Sequence, residues 1–235
     1  AFLDDDDHWF EKKTELQVGI MERHPEIDVL FANFDNTNLT TGGKGIGFVQ
    51  NAKGLELLIV KELENNVFLI KNKFPEGVST SNFLLPSSML VRRQIFTTVG
   101  DFNEALRNSL DIEYFWRIYL HGFSFAYGNQ ILVDRIKPSG SLSSASLATY
   151  ENVIKSMDSI YTEFLKFDRR DLINFLKNAY KRAWLGIARE YTKKGERKKA
   201  WQAIKEFQKY GLNLKDVLLL SKSVASVKIR NLMAK

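Results

Sequence analysis

The pattern of apolar residues changes once along this chain, near residue 147, and that change restricts the fold more than any other feature. Before it, β-rich runs and helix-period stretches alternate. "IDVLFANF" (27–34) and "FSFAYGNQILVDRI" (123–136) read as strands, and "FLLPSSMLV" (83–91) as a strand bent at Pro86. Residues 9–23, with Trp9, Leu16, Ile20 and Met21 available for one stripe, read as a helix. So do residues 53–65 and "LDIEYFWRIYLHG" (110–122), the last closed by Gly122. "NTNLTTGGKG" (36–45) has the composition of a loop, and "KPSGSLSSAS" (137–146) that of a flexible connection. Beyond it, Tyr150, Val153, Ile154, Met157, Ile160, Tyr161 and Phe164 recur at three-and-four spacing. Residues 183–207 then read as two antiparallel helices turning at Gly195. The expectation is an α/β mixed sheet with flanking helices over 1–146, followed by an α-helical appendage over 147–235.

Charge divides in nearly the same place. Residues 1–150 carry 14 Lys and Arg against 19 Asp and Glu, whereas residues 151–235 carry 20 against 9. A basic second half suits an anionic neighbour such as a membrane surface, or is simply the solvated outside of Lys-rich helices. No nucleic-acid motif accompanies the positive charge, so nucleic acid is not an expected partner. Cysteine is absent, which excludes disulfides, thiolate metal sites and a cysteine nucleophile and is compatible with a reducing cytoplasm. The three histidines, at 8, 24 and 121, make no metal-ligand spacing. No apolar run reaches eighteen residues.

Chemistry concentrates in "FLDDDDHW" (2–9), where four successive acids follow an apolar strand end. Continued as a strand, Asp4 and Asp6 would share a face, unless the chain turns within the run. Close carboxylates suit a hard divalent cation; equally, such a run serves as a solvated acidic loop or a helix start. A second candidate is Asp111, at the start of the helix beginning near residue 110. It is either a general base beside a cleft or an N-cap. Arg92 and Arg93 could bind phosphate but have the usual character of surface arginines.

These pieces come in a familiar order. "LDDDDHWFEKKTELQ" (3–17), "SSMLVRRQIFTTVGDFNEAL" (87–106), "LDIEYFWRI" (110–118) and "LVDRIKPSGSLS" (132–143) together resemble successive segments of the family-2 inverting glycosyltransferases. These segments are the acidic metal motif, a small-residue strand with a Gly-x-Phe turn, the helix of the catalytic base and a closing loop. The resemblance covers residues 1 to about 145. It implies a GT-A fold (nucleotide-diphospho-sugar transferase), with its N-terminal nucleotide-binding half lying upstream of Ala1. It also implies a nucleotide-sugar donor, Mg²⁺ or Mn²⁺ as cofactor, and a glycan or lipid-linked acceptor. Asp4, Asp6 and Asp7 match the metal carboxylates, and Asp5 and Arg135 donor-binding positions. Asp111 matches the base that deprotonates the acceptor hydroxyl. Arg117 matches a helix position that serves packing or substrate.

Two departures stand out. Leu110 occupies a position where an acid is usual, leaving Glu113 as the nearest second carboxylate, and Lys137 replaces a common histidine. The implied activity is sugar transfer with inversion in cell-surface polysaccharide or glycan synthesis. The implied location is the cytoplasm, peripheral to the inner membrane face. Residues 1–235 alone are expected to bind donor poorly, to be inactive and to expose an unpaired sheet edge. The rival reading is a non-catalytic helical interaction module attached to a decayed sugar-nucleotide-binding fold.

Overall fold

A computed structural model of the chain describes residues 1–38, 44–45, 52–81, 83–107, 109–137 and 146–211. Its centre is a parallel pair of strands, β2 (Val29–Asn38) and β7 (Phe125–Lys137). Val29, Leu30, Phe31, Ala32 and Phe34 are all buried, so β2 is covered on both faces, as parallel strands require. The strand read over 27–34 is there, but it runs on through Asn38, so residues 36–38, with the composition of a loop, are strand, as are Lys44–Gly45.

Antiparallel partners β3 (Lys44–Gly45), β4 (Ile59–Glu64) and β5 (Val67–Asn72) extend this pair to a mixed sheet of order β3-β2-β7-β5-β4. β5 pairs with the first half of β7, and β1 (His8–Trp9) with its second half. On β2, β6 (Met89–Val91) takes the first half and β3 the second. Among the described residues β6 has no strand partner on its other edge.

Helix α1 (Lys13–Arg23) covers one sheet face, where Met21 packs with Ile27, Leu30, Val67, Leu69 and Ala126. The opposite face carries α2 (Phe74–Thr80), α3 (Gln94–Val99) and α4 (Leu110–Leu120). There the Phe74 ring lies 4.5 Å from Phe125, and Phe31 stacks on Phe83 at 5.6 Å. This arrangement is the α/β class expected from the sequence. Helices α5 (Leu147–Lys166), α6 (Ile173–Lys193) and α7 (Arg197–Gln208) follow. Ser146 caps α5 by accepting the Thr149 N–H. Met157, Ile160 and Phe164 of α5 belong to the same apolar cluster as α4, with Trp116 edge-on to Phe164 at 5.0 Å. The helical half therefore shares a core with the sheet. Gly186 lets α6 approach closely, since a Cβ there would sit 2.4 Å from the Tyr150 ring. The turn at Gly195, with φ of 77°, joins α6 to α7.

Several local expectations are corrected. Residues 53–65 form no α-helix: a single 3₁₀ turn at Leu55–Leu57 precedes strand β4 (Ile59–Glu64). β-Branched Ile59 and Val60 open that strand, and Asn65 and Asn66, both at positive φ, turn it into β5. Pro86 starts a 3₁₀ turn, which confines β6 to three residues. The helix read over 9–23 begins only at Lys13, because Trp9 is paired to Val133 in β1. Residues 1–3, read as a strand end, have no ladder partner.

Candidate active site

The acidic run does not continue as a strand. It turns, and the Asp7 N–H donates to the Asp4 carbonyl at 3.2 Å. The strand alternation that would have grouped Asp4 with Asp6 therefore gives way to the turn. Two anchors hold it in place. The Asp4 N–H donates to Ser87 Oγ at 3.0 Å, and Asp7 Oδ1 accepts the Ile136 N–H at 3.2 Å. Ser87 is fully buried in the 3₁₀ turn that Pro86 opens, and its carbonyl accepts the Trp9 indole N–H at 2.6 Å.

The base of this turn is polar and buried. Lys13 is 1% exposed; its ammonium donates to Gln17 Oε1 at 2.7 Å and lies 4.2 Å above the Trp9 ring. Gln17 in turn donates to the carbonyls of Leu30 and Ser88, tying α1 to β2 and to the 3₁₀ turn that precedes β6. Burial pushes the Lys13 ammonium down to about 8. Ser87, Lys13 and Gln17 were not singled out from the sequence. The available signals were a Lys and a Gln four apart at a helix start, and a Pro-Ser-Ser turn before a strand.

Asp111 lies in the first turn of α4, whose N-cap is Ser109, so Asp111 is not the N-cap. Burial holds its pKa above the ordinary carboxylate value, although the nearby backbone N–H groups of Ile112 and Asp111 work in the opposite direction. The helix start thus pre-orients the side chain without removing its affinity for a proton. Asp4 is raised as well, first by burial and then by repulsion from Asp111, with Asp6 and Asp5 adding to it. The Arg135 guanidinium, on β7, lowers both Asp4 and Asp111. Asp4, Asp111 and Arg135 therefore act on one another electrostatically, although 107 positions separate the two acids in the sequence. Asp4, Asp5 and Asp6 are all exposed on the turn and Asp7 is half-buried, so the desolvation felt by Asp4 is partial. Ser143 and most of its loop lie outside the described residues.

The carboxyl of Asp7 is raised chiefly by burial, and its Oδ2 is buried with no hydrogen-bond partner among the described residues. That unpartnered oxygen, on a carboxyl whose proton affinity Asp4 and Asp6 also raise, is a candidate ligand for a hard divalent cation. Among the described residues, however, no group of three or more His, Cys, Asp and Glu side chains is placed to hold a metal ion.

Two neighbouring residues are accounted for by packing. Arg117 donates to the carbonyls of Val99 and Asp101, each at 2.7 Å, and to Glu113 at 2.9 and 3.1 Å. Glu113, 2% exposed, also accepts from Ser159 of α5. Arg117 is thus a clamp between α4 and the turn at Gly100. Glu113, committed to that clamp, does not replace the acid missing at position 110. Arg92 is also structural, donating to the carbonyls of Ile27 and Met21.

No protein-family model matches the sequence, and no curated protein matches it.

Proposed function

We propose that the chain carries the catalytic part of a metal-dependent, inverting glycosyltransferase of GT-A type. The observation that carries this reading is the acidic turn pinned by Ser87 and Ile136, in which Asp7 Oδ2 is buried without a partner and Asp4 feels the charges of Asp111 and Arg135.

Asp111 is the general base. Its raised pKa suits it to take a proton from an acceptor hydroxyl as that oxygen attacks the anomeric carbon of a nucleotide sugar. Attack from the face opposite the departing diphosphate inverts the anomeric configuration. Asp4 and Asp7, with Asp6 beside them, are the residues that would hold Mg²⁺ or Mn²⁺, whose positive charge offsets that of the leaving group. Arg135 pairs with diphosphate oxygens and, by its charge, keeps Asp4 and Asp111 from being protonated too readily. Asp5, exposed on the turn, is the acid that the resemblance assigns to the donor. The acceptor is a glycan or lipid-linked alcohol.

The test is sugar transfer or donor hydrolysis by the full-length natural protein with a panel of nucleotide sugars. Turnover is expected only with Mg²⁺ or Mn²⁺. Asp111→Asn should abolish it while donor binding and the circular dichroism spectrum persist; near wild-type turnover by that variant would show that Asp111 is not the base.

The commitment of Glu113 to Arg117 favours a second reading, in which the sugar-nucleotide fold has decayed and the helices alone serve interaction. Nucleotide-sugar binding that neither needs a divalent cation nor responds to Asp4→Asn would favour that reading.

A further inference from the structure

The cations of the helical half are not distributed evenly. In α6 and α7 several lysines have an acid three residues earlier: Lys193 pairs with Glu190, Lys199 with Glu196 and Lys209 with Glu206. Arg197, Lys198 and Lys205 have no such partner among the described residues, and all three are exposed. They lie four and three residues before Trp201 and four after it, so the helix period sets them around that indole on one stripe. The acids Glu196 and Glu206 fall five residues either side of Trp201, toward the flank of the helix that buries Ala200, Ala203 and Phe207.

Trp201 itself is 57% exposed, whereas Trp9, Trp116 and Trp184 are buried or half-buried. A solvated lysine face explains the cations but not an indole held out in their midst. Indoles settle at the boundary between headgroups and hydrocarbon, and Lys and Arg around them bind anionic headgroups while their methylenes cover apolar surface. No described helix is long and apolar enough to cross a membrane, so contact by this helix would be lateral.

We infer that the Arg197–Lys198–Trp201–Lys205 face of α7 is a docking surface for an anionic phospholipid bilayer, with Trp201 entering the headgroup layer. This surface is independent of the transferase reading, since none of its residues belongs to the acidic site.

The experiment is vesicle flotation of the 235-residue chain, together with tryptophan emission. Vesicles of phosphatidylcholine alone are compared with equal parts phosphatidylserine and phosphatidylcholine. The chain should float only with the anionic vesicles, less so as salt rises, and its emission should shift to the blue. Replacing Arg197, Lys198 and Lys205 together by Gln should weaken binding about 100-fold, roughly fivefold per charge. Trp201→Phe should remove most of the blue shift with the salt dependence unchanged. Lys193→Gln with Lys199→Gln, which removes cations off this face, should change binding less than about threefold.

Equal binding to neutral vesicles, or an equal loss from the two sets of charge variants, would overturn the inference. So would tighter binding to a homopolymeric RNA than to anionic vesicles, which would assign the face to a nucleic acid instead. Circular dichroism melts of each variant establish that the helices remain folded.

Discussion

Replacing Arg117 by Met should be among the most damaging single changes outside the apolar core. The substitution keeps the apolar stem of the side chain but leaves Glu113 buried with only the Ser159 hydroxyl to offset its charge. It also strands the carbonyls of Val99 and Asp101, whose partners are Arg117 Nη1 and Nη2 at 2.7 Å. Breaking a buried ion pair from one side costs about 3–5 kcal/mol. A domain of ordinary stability has about 5–15 kcal/mol in total, so urea unfolding should move to much lower denaturant. Adding Glu113→Gln to the Met variant should restore about 1–3 kcal/mol, because a neutral amide tolerates the site that a bare carboxylate does not. Equilibrium unfolding of the two singles and the double closes the cycle. A loss below about 1 kcal/mol for Arg117→Met, or an additive double variant, would refute the clamp and reopen a substrate role for Arg117.

Two further outcomes follow from titration. The Lys13 ammonium falls from 10.5 to about 8 on folding, so the unfolded chain binds its proton more tightly; wild type should therefore gain stability relative to Lys13→Met as pH rises from about 7 to about 10. The gain is at most about 3 kcal/mol, and on the order of 2 once residual solvent screening is allowed for; a pH-independent difference would contradict the buried-ammonium description. Asp111 carries the opposite sign of charge. Its carboxyl is raised in the fold, so the cost of ionising it appears as pH climbs above the ordinary carboxylate value and is full once pH passes the folded-state value. Asp111→Asn should melt higher than wild type at pH 7 and lose that advantage by about pH 4, as measured by thermal melts across the range.

What the sequence discloses follows local chemistry. β2, β7 and α4 were readable because each has a continuous apolar run or a single apolar stripe, and the α6–α7 turn because Gly195 breaks a helical period. β4 and β5 were not, because "LELLIVKELENNVFLIKN" mixes helix formers with β-branched residues. The hairpin is decided instead by two asparagines at positive φ and by pairing to β7. The acids were legible as a group, but their geometry was not. A one-residue choice between strand and turn decides which carboxylates are neighbours, and here the hydrogen bond from Asp7 to Asp4 and the buried Ser87 make that choice. The Lys13–Gln17 pair beneath them escaped notice because a Lys on an amphipathic helix is ordinarily solvated, and nothing local tells that this one is covered.

The central claim is the proposal that Asp4 and Asp7, with Asp6 beside them, hold a divalent cation within electrostatic reach of Asp111. It is tested most directly by calorimetric titration of Mn²⁺ into the 235-residue chain, with and without a nucleoside diphosphate, for wild type, Asp7→Asn and Lys137→Gln. Mn²⁺ should bind wild type and the Lys137 variant alike, more tightly with the nucleotide present, and at least about tenfold more weakly to Asp7→Asn. Equal Mn²⁺ affinity in all three proteins, or no heat of binding to any of them, would contradict it.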